Sequence, residues 1–409
     1  MEKSCTARTL RVGVVTTSFP LKTQPYSGIF IARLLRALPQ NVGPCVVVPA
    51  GNNGEGVEIL EKEVEIHPFR YAPWRYQLLA RQPGGVPVAL SGNKWIYLLI
   101  PTFLLSMAIT CLRVSRHIDL FHANWSVAGM VAGIVGRLVK KPVLTTLRGE
   151  DVNRAETSLI YATILKAALL LSHRVIVVSD AIGQALRAKY PDHHQKIAMI
   201  PNGVESDLLD IQRTGNNVGS RSLSLLAVGA LIKRKAVNNI IEALSYINVS
   251  PPPSLTVVGD GPELRYLERL AKEMNVYRNV NFIGAVDPDD VQRYLSGADI
   301  FVFASLSEGR PNVILEAMAA GLPIVASRID GVTELIVDGR NGMLFAPGDA
   351  RELAQKLEAL IEGSVSRSTL GASARNYIVE NKLTWSQTGR RYVEMYEQCL
   401  AENKSRRPT

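Results

Sequence analysis

The chain has 409 residues, 47% of them hydrophobic and 20% charged, which is long enough for two domains of ordinary size and excludes a disordered protein. Its 46 Lys and Arg against 37 Asp and Glu leave a formal charge of +9, a balance that favours anionic partners such as phosphates, acidic glycans or an anionic leaflet. The basic residues are spread along the chain without the aromatic and basic interleaving of RNA- or DNA-binding modules, which argues against nucleic acid, and Cys5, Cys45, Cys111 and Cys399 are too far apart for a metal or redox motif, as expected of a reducing compartment.

The opening MEKSCTART is polar and runs straight into a strand, so no secretory signal is expected there. Apolar, β-branched runs predict strands at 10–15, 45–48, 64–69, 119–122, 142–147 and 175–179. A loop over 16–28 ends in Ser27-Gly28 and leads into a helix over 29–38. Gly28 then either caps that helix or lets a ligand approach the backbone. Residues 71–92, rich in Pro, Gly and aromatics, read as a mobile loop. Residues 95–112, WIYLLIPTFLLSMAITCL, carry no charge and leave three readings open: a helix of the first domain, a segment resting on a bilayer, or a span. Lys94, Arg113 and Arg116 flank the stretch with positive charge.

Asn124-Trp125 begins the turn into a Gly- and Ala-rich helix that runs to Leu138. His122, at a strand end, reads as structural, and His193 and His194 as surface residues. Arg148-Gly149-Glu150-Asp151 follows the strand at 142–147. Arg148 cannot act as a base near neutral pH, so it either pairs with Glu150 or Asp151 or offers a fixed positive charge to an acidic group of a ligand. The polar stretch 212–222 fits a linker.

Beyond it, the strand at 224–229 ends in Gly229, followed by Lys233, Arg234 and Lys235. A basic side chain near a strand end suits a diphosphate. LTVVGDGP at 255–262 lacks the third glycine of a dinucleotide fingerprint, so no NAD is expected. A strand at 281–284 leads to Ala285-Val286. Asp287, Asp289 and Asp290 are better explained as acids at a helix start than as a metal site. Phe301, Val302 and Phe303 then end a buried strand, and a polar loop containing Gly309 reaches Pro311, which opens a helix closed by Gly321. This unit aims open backbone N–H groups at the carboxyl end of a strand, where anionic ligands bind in doubly wound sheets. Glu308 and Glu316 flank those donors, and acceptors beside donors match a nucleotide sugar, with hydroxyls for the acids and a diphosphate for the N–H groups.

SerGluGlyArgProAsn followed by Glu316-Ala-Met-Ala-Ala-Gly321 resembles the glutamate, seven residues, glutamate signature of the retaining glycosyltransferases of family 4, the "glycosyl transferases group 1" type with the GT-B fold. The likeness continues through Gly284 and Ala298-Asp299 before it, and Gly331-Val-Thr-Glu334 and Asp338-Gly-Arg-Asn-Gly342 after it. The resemblance implies an α/β protein of two Rossmann-like domains facing each other across a cleft. The acceptor-side domain would comprise residues 1–203 with a returning C-terminal helix over 385–409, and the nucleotide-sugar domain residues 204–384. It further implies Glu308 on the sugar hydroxyls, Glu316 on the ribose, and Gly309, Arg310, Pro311 and Asn312 with Lys235 at the diphosphate. Gly259, Gly261 and Val286 would lie at the nucleotide edge, and Ser27 and Gly28 at the acceptor or phosphate loop.

Three positions depart from the family pattern. Arg148 stands where the family has histidine, and Ala230 and Ala236 replace an arginine and a glycine, for which Lys233 or Arg234 could compensate or else be solvated. The implied activity is transfer of a hexosyl group from a nucleotide-diphosphate sugar to a lipid-linked or oligosaccharide acceptor with retention of configuration. No metal or cofactor is required, and the protein would be cytoplasmic, with an anionic membrane surface as a partner. A nucleotide-sugar epimerase on the same fold and a non-catalytic nucleotide-sugar-binding subunit are the alternatives.

Overall fold

The computed structural model describes residues 9–20, 27–50, 64–79, 89, 94–212 and 222–405. Cys5, the middle of the 16–28 loop, most of the 71–92 loop beyond Leu79, the core of the 212–222 linker and the end of the basic tail lie outside the described residues. The chain divides into two compact units, Met1–Pro201 with Trp385–Thr409, and Asn202–Thr384.

In the first unit, parallel strands β1 (Leu10–Val15), β2 (Val42–Pro49), β3 (Glu65–Phe69), β4 (Leu120–Asn124), β5 (Val143–Leu147), β6 (Arg174–Val177) and β7 (Ile197–Met199) lie in the order β3-β2-β1-β4-β5-β6-β7. Most of these strands are buried on both faces, which is why they read as continuous apolar runs and not as alternating ones. Successive side chains of β1 feed opposite cores. Val12 and Val14 pack with the helices Ile29–Ala37 and Trp385–Ser405, and Val15 packs with Ile100–Val114 and Ser126–Val139.

The second unit repeats the plan with β8 (Ser224–Val228), β9 (Ser254–Val258), β10 (Val280–Gly284), β11 (Ile300–Phe303), β12 (Ile324–Ser327) and β13 (Met343–Phe345), all parallel, in the order β10-β9-β8-β11-β12-β13. Each sheet therefore reverses its strand order beside its first strand, between β1 and β4 in one and between β8 and β11 in the other. The crevice outside the carboxyl ends of such a strand pair is where doubly wound folds take ligands.

Several local expectations are narrowed or changed in the structure. Residues 95–112 are a 3-10 turn (Lys94–Leu99) followed by an α-helix (Ile100–Val114) that buries Phe103, Met107, Cys111 and Val114 against the sheet. By length and composition Trp95–His117 is long and apolar enough to cross a membrane, and its inner side is held against this sheet. The described part of the 71–92 stretch is pinned, since Tyr71 is buried and its hydroxyl accepts from the Leu79 N–H at 2.9 Å. The helix expected at Asp287-Pro288 starts at Val291 instead, because Asp287 Oδ1 accepts from the Asp289 N–H and holds a turn there first.

Candidate functional site

The strand end, loop and helix around Glu308 form as the local signals require. After Phe303 the loop runs to Pro311, and the helix Asn312–Ala319 follows. Gly321, at φ 67, closes it with two reverse bonds, Leu322 N–H to Ala317 O at 3.0 Å and Gly321 N–H to Met318 O at 2.9 Å. The helix start thus carries backbone N–H groups with no partner inside the helix.

Glu308 is the centre of the loop. Its Oε1 lies 2.6 Å from Lys235 Nζ and 3.2 Å from Arg234, and the Ser305 hydroxyl donates to the same oxygen at 2.9 Å. The cations come from the 3-10 turn Lys233–Lys235 just after β8, across the switch point from β11. That turn is tied to the loop, since the Arg234 guanidinium donates to Ser307 O at 2.9 Å and Arg234 O accepts from the Leu306 N–H at 2.8 Å. A small cavity lined by Val228, Gly229, Leu231, Lys235, Phe303 and Ala304 opens between the two strand ends. Gly331 makes room for the loop, because a Cβ there would stand 2.4 Å from Glu308 O and 2.7 Å from Gly309 O.

The other residues expected on this side are placed as follows. Glu316 is half-buried in the second turn of the helix, and Asn312 accepts from the Asn202 side chain at 2.8 Å. The Arg310 side chain folds inward onto Glu334 at 3.3 Å, and burial lowers its pKa, so what Arg310 can offer a ligand is its backbone. Gly259 and Gly261 owe their small size to chain crossing: a Cβ on Gly259 would meet Gly229 O at 1.9 Å, and one on Gly261 would meet Leu231 O at 2.4 Å. Their N–H groups are committed within the fold, to Gly284 O at 2.8 Å and to Asp260 Oδ1 at 2.7 Å. Val286 is partly buried against the core beside the helix.

At the first unit's switch point, Gly28 adopts φ 70 at the helix N-cap and presses on the chain at Ser18, where a Cβ would come 2.4 Å from Ser18 O. The Ser27 and Ser18 hydroxyls lie 2.5 Å apart. Across the edge, the Arg148 guanidinium stacks over the Phe30 ring at 3.9 Å and donates to Asn124 Oδ1 at 2.9 Å. Burial brings its pKa down to about 10, so it stays charged at neutral pH. Of the acids beside it, Glu150 is taken by Arg154 at 2.7 Å. Asp151 accepts the backbone N–H groups of Ser126 at 2.7 Å and Arg148 at 3.3 Å, bracing the β4 and β5 turns together.

Beneath this edge His122 is fully buried, with its ring nitrogens 2.8 Å from the Tyr396 hydroxyl and 2.9 Å from the Thr146 hydroxyl. Burial, with Arg148 adding to it, lowers its pKa to about 3, so the ring is neutral and structural. Phe30, Asn124, Asp151, Arg234 as a partner of Glu308, Ser305 and Glu334 were not singled out as site residues from the sequence. The sequence signals Arg234 as a stand-in for the arginine missing at position 230, Asp151 as a partner for Arg148, and Glu334 as part of the family likeness. Among the described residues no group of three or more metal-ligating side chains occurs.

Two family models match the chain, one described as Glycosyl transferases group 1 over residues 210–377 and one as Glycosyltransferase Family 4 over residues 27–208. The N-acetyl-alpha-D-glucosaminyl L-malate synthase of Bacillus anthracis is 23% identical over 364 residues, which is 86% of this chain and 93% of that protein. The lipopolysaccharide core biosynthesis glycosyltransferase LpsE of Rhizobium meliloti is 32% identical over 155 residues, 38% of this chain and 44% of that one. Anabaena HepE, solved in complex with UDP, superposes with a TM-score of 0.73 at 20% identity, covering 95% of this chain and 100% of its own.

Proposed function

Because the chain is a glycosyltransferase of the group 1/family 4 type with the GT-B fold, we propose that it moves a hexosyl group from a nucleotide-diphosphate sugar to an acceptor hydroxyl with retention of configuration. The observation that carries this is the Glu308 carboxylate, 2.6 Å from Lys235 Nζ beside the start of the helix Asn312–Ala319, at the point where the sheet reverses its order. In this reading the diphosphate takes Lys235 and the N–H groups of Gly309, Arg310 and Asn312, Glu308 accepts from sugar hydroxyls, and Glu316 accepts from the ribose. The bond between the anomeric carbon and the β-phosphate oxygen breaks, and the charge that develops on the phosphate is met by the helix start and the cations. The acceptor oxygen bonds to the same face of that carbon and passes its proton to the departing phosphate, which leaves as the nucleoside diphosphate. No divalent ion is required, so EDTA is expected to leave the rate within roughly twofold.

Arg148 offers a fixed charge to an acidic group on donor or acceptor, a sugar carboxylate being one candidate. The acceptor class we favour is a lipid-linked or surface polysaccharide, met by a cytoplasmic enzyme at the inner face of the membrane. The net charge, the apolar stretch at 95–112 and the likeness to LpsE support it.

The experiment is a screen of nucleotide sugars by thermal shift, followed by incubation of the best donor with and without acceptor. Transfer that retains the anomeric configuration and vanishes in Glu308→Ala is the expected result. A donor epimerised without acceptor, or donor binding without any turnover, would replace the assignment.

A further inference from the structure

We propose that the helical layer formed by Ile100–Val114, Ser126–Val139 and Leu159–Leu171 in the first unit is a docking face for an anionic bilayer, on which the chain lies without crossing. The proposal rests on the membrane-side reading above and names the face that would serve it. Most of that face belongs to helices other than the apolar stretch.

The three helices pack side by side. Gly129 and Gly133 bring the second and third into close contact, where a Cβ would stand 3.2 Å from Ala168 Cβ and 2.4 Å from Leu171 Cβ. Their inner sides cover the sheet, and their outer sides are apolar: Leu105 is 61% exposed, Leu138 71%, Leu159 83% and Ile160 71%. Among the described residues, most of the large exposed hydrophobics of the whole chain fall between Trp74 and Leu170. Singly such residues need no explanation, but a run of them on adjoining helices marks an interaction surface.

Charge decides what that surface meets. None of the three helices contains an Asp or Glu. Residues 66–171, which include all three helices, hold twelve Lys and Arg against four acids, Asp119, Glu150, Asp151 and Glu156, a difference of eight. The formal charge of the entire chain is +9, so the remainder is close to electrically balanced. The basic residues are indeed spread, and it is the acids that avoid this region. A second copy would have to bring the same positive region against this one, whereas an anionic leaflet complements it.

The rim fits a membrane interface as well. Trp95 is 77% exposed and Leu98 69%, in the turn that opens the first helix, and Arg70 lies 4.1 Å over the Trp74 ring. Ser106 ties the two segments by donating to Arg70 O at 2.8 Å. Aromatic rings and arginines together are the usual side chains at headgroup depth. A helix returning between parallel strands runs against them, so Trp95 and Leu98 fall at the carboxyl edge of the sheet. That is the edge that holds Gly28 and Arg148, and a lipid-borne acceptor held there would enter it from the leaflet.

The test is flotation of the full chain with phosphatidylcholine vesicles and with vesicles carrying phosphatidylglycerol. Wild type is expected to float with the anionic vesicles and far less with the neutral ones. Leu105→Glu/Leu159→Glu and Arg113→Glu/Arg116→Glu should each lower partitioning by roughly tenfold or more. Trp95→Ser/Leu98→Ser, which lies outside the helices, serves if a glutamate pair fails to fold. Wild type that stays unbound, or variants that float as wild type does, would overturn the proposal. So would light scattering showing a dimer that Leu105→Glu breaks, since the face would then belong to a second copy. Thermal shift with nucleotide sugars on the same preparations separates the two readings: wild type that floats but binds no nucleotide sugar leaves this face standing and removes the enzymatic assignment.

Discussion

The two sheets share one winding and reverse beside their first strand, yet their carboxyl edges hold charge in opposite ways. In the second unit a carboxylate lies within 2.6 to 3.2 Å of two cations, so the pairing leaves one positive charge in excess. In the first, a guanidinium rests on an aromatic ring and a neutral amide, while of the two acids that follow it Glu150 pairs with Arg154 and Asp151 accepts from backbone N–H groups. The trio of the second unit is arranged to exchange partners. A diphosphate arriving at Lys235 would draw that cation from Glu308 and free the carboxylate for sugar hydroxyls, and Arg234 would remain beside it. Arg148 in the first unit is a cation fixed in place, suited to selecting a ligand and not to rearranging around one.

The largest effect that can break this contrast is expected at Glu308. Glu308→Gln removes the hydroxyl acceptor and the partner of both cations, and the transfer rate should fall by about 10²–10³-fold. Binding of the free nucleoside diphosphate should hold or tighten, because Lys235 and Arg234 are released. Weaker diphosphate binding by titration calorimetry would mean that the trio does not exchange partners. Next comes Lys235→Ala. Loss of one charge-assisted contact to phosphate is worth about 1.5–3 kcal/mol, so kcat/KM should drop by about 10–100-fold, with most of the change in diphosphate affinity. A smaller effect is expected at the other edge. Arg148→His should change the preference between acidic and neutral sugars by about tenfold and leave diphosphate affinity alone. An unchanged preference would make Arg148 a structural residue of the β4 and β5 turns.

Legibility follows the same divide between local and distant causes. The strand, loop and helix from Phe301 to Gly321 could be read because each signal is local: a β-branched and aromatic run, Pro311 before the helix start, and a glycine where the chain turns left-handed. The pairing of Glu308 with Arg234 could not, since it depends on β8 and β11 lying side by side across a long stretch of sequence. Arg310 stood next to the right loop and read as part of the donor site, but Glu334 on a later segment draws its side chain inward. The family likeness implies Gly259 and Gly261 at the nucleotide edge, and the structure gives them another reason for being small, the crossing of residues 229–231. The helix Leu159–Leu171 left no periodic signal, because its solvent side is as apolar as its buried side.

His122 offers the smallest effect on transfer and the cleanest effect on folding. It lies under Arg148, fully buried between the Tyr396 and Thr146 hydroxyls, and its pKa is held down to about 3 in the folded protein against 6.5 for a free side chain. A depressed histidine is neutral when folded and takes up a proton on unfolding at any pH between those values. Its contribution to stability is therefore whole above pH 6.5 and is lost as pH falls toward 3, at a slope of about 1.4 kcal/mol for each pH unit. The pKa of Asp151 is raised by burial, which gives a contribution of the opposite sign, lost as pH rises. Comparing wild type with His122→Gln cancels it, since both proteins keep Asp151. Denaturant unfolding at a series of pH values should then show wild-type stability falling more steeply below pH 6.5 than the variant's, by close to one proton, with transfer at neutral pH nearly unchanged. Parallel slopes would mean that the ring is protonated in the fold, and that the edge beneath Arg148 carries a second positive charge.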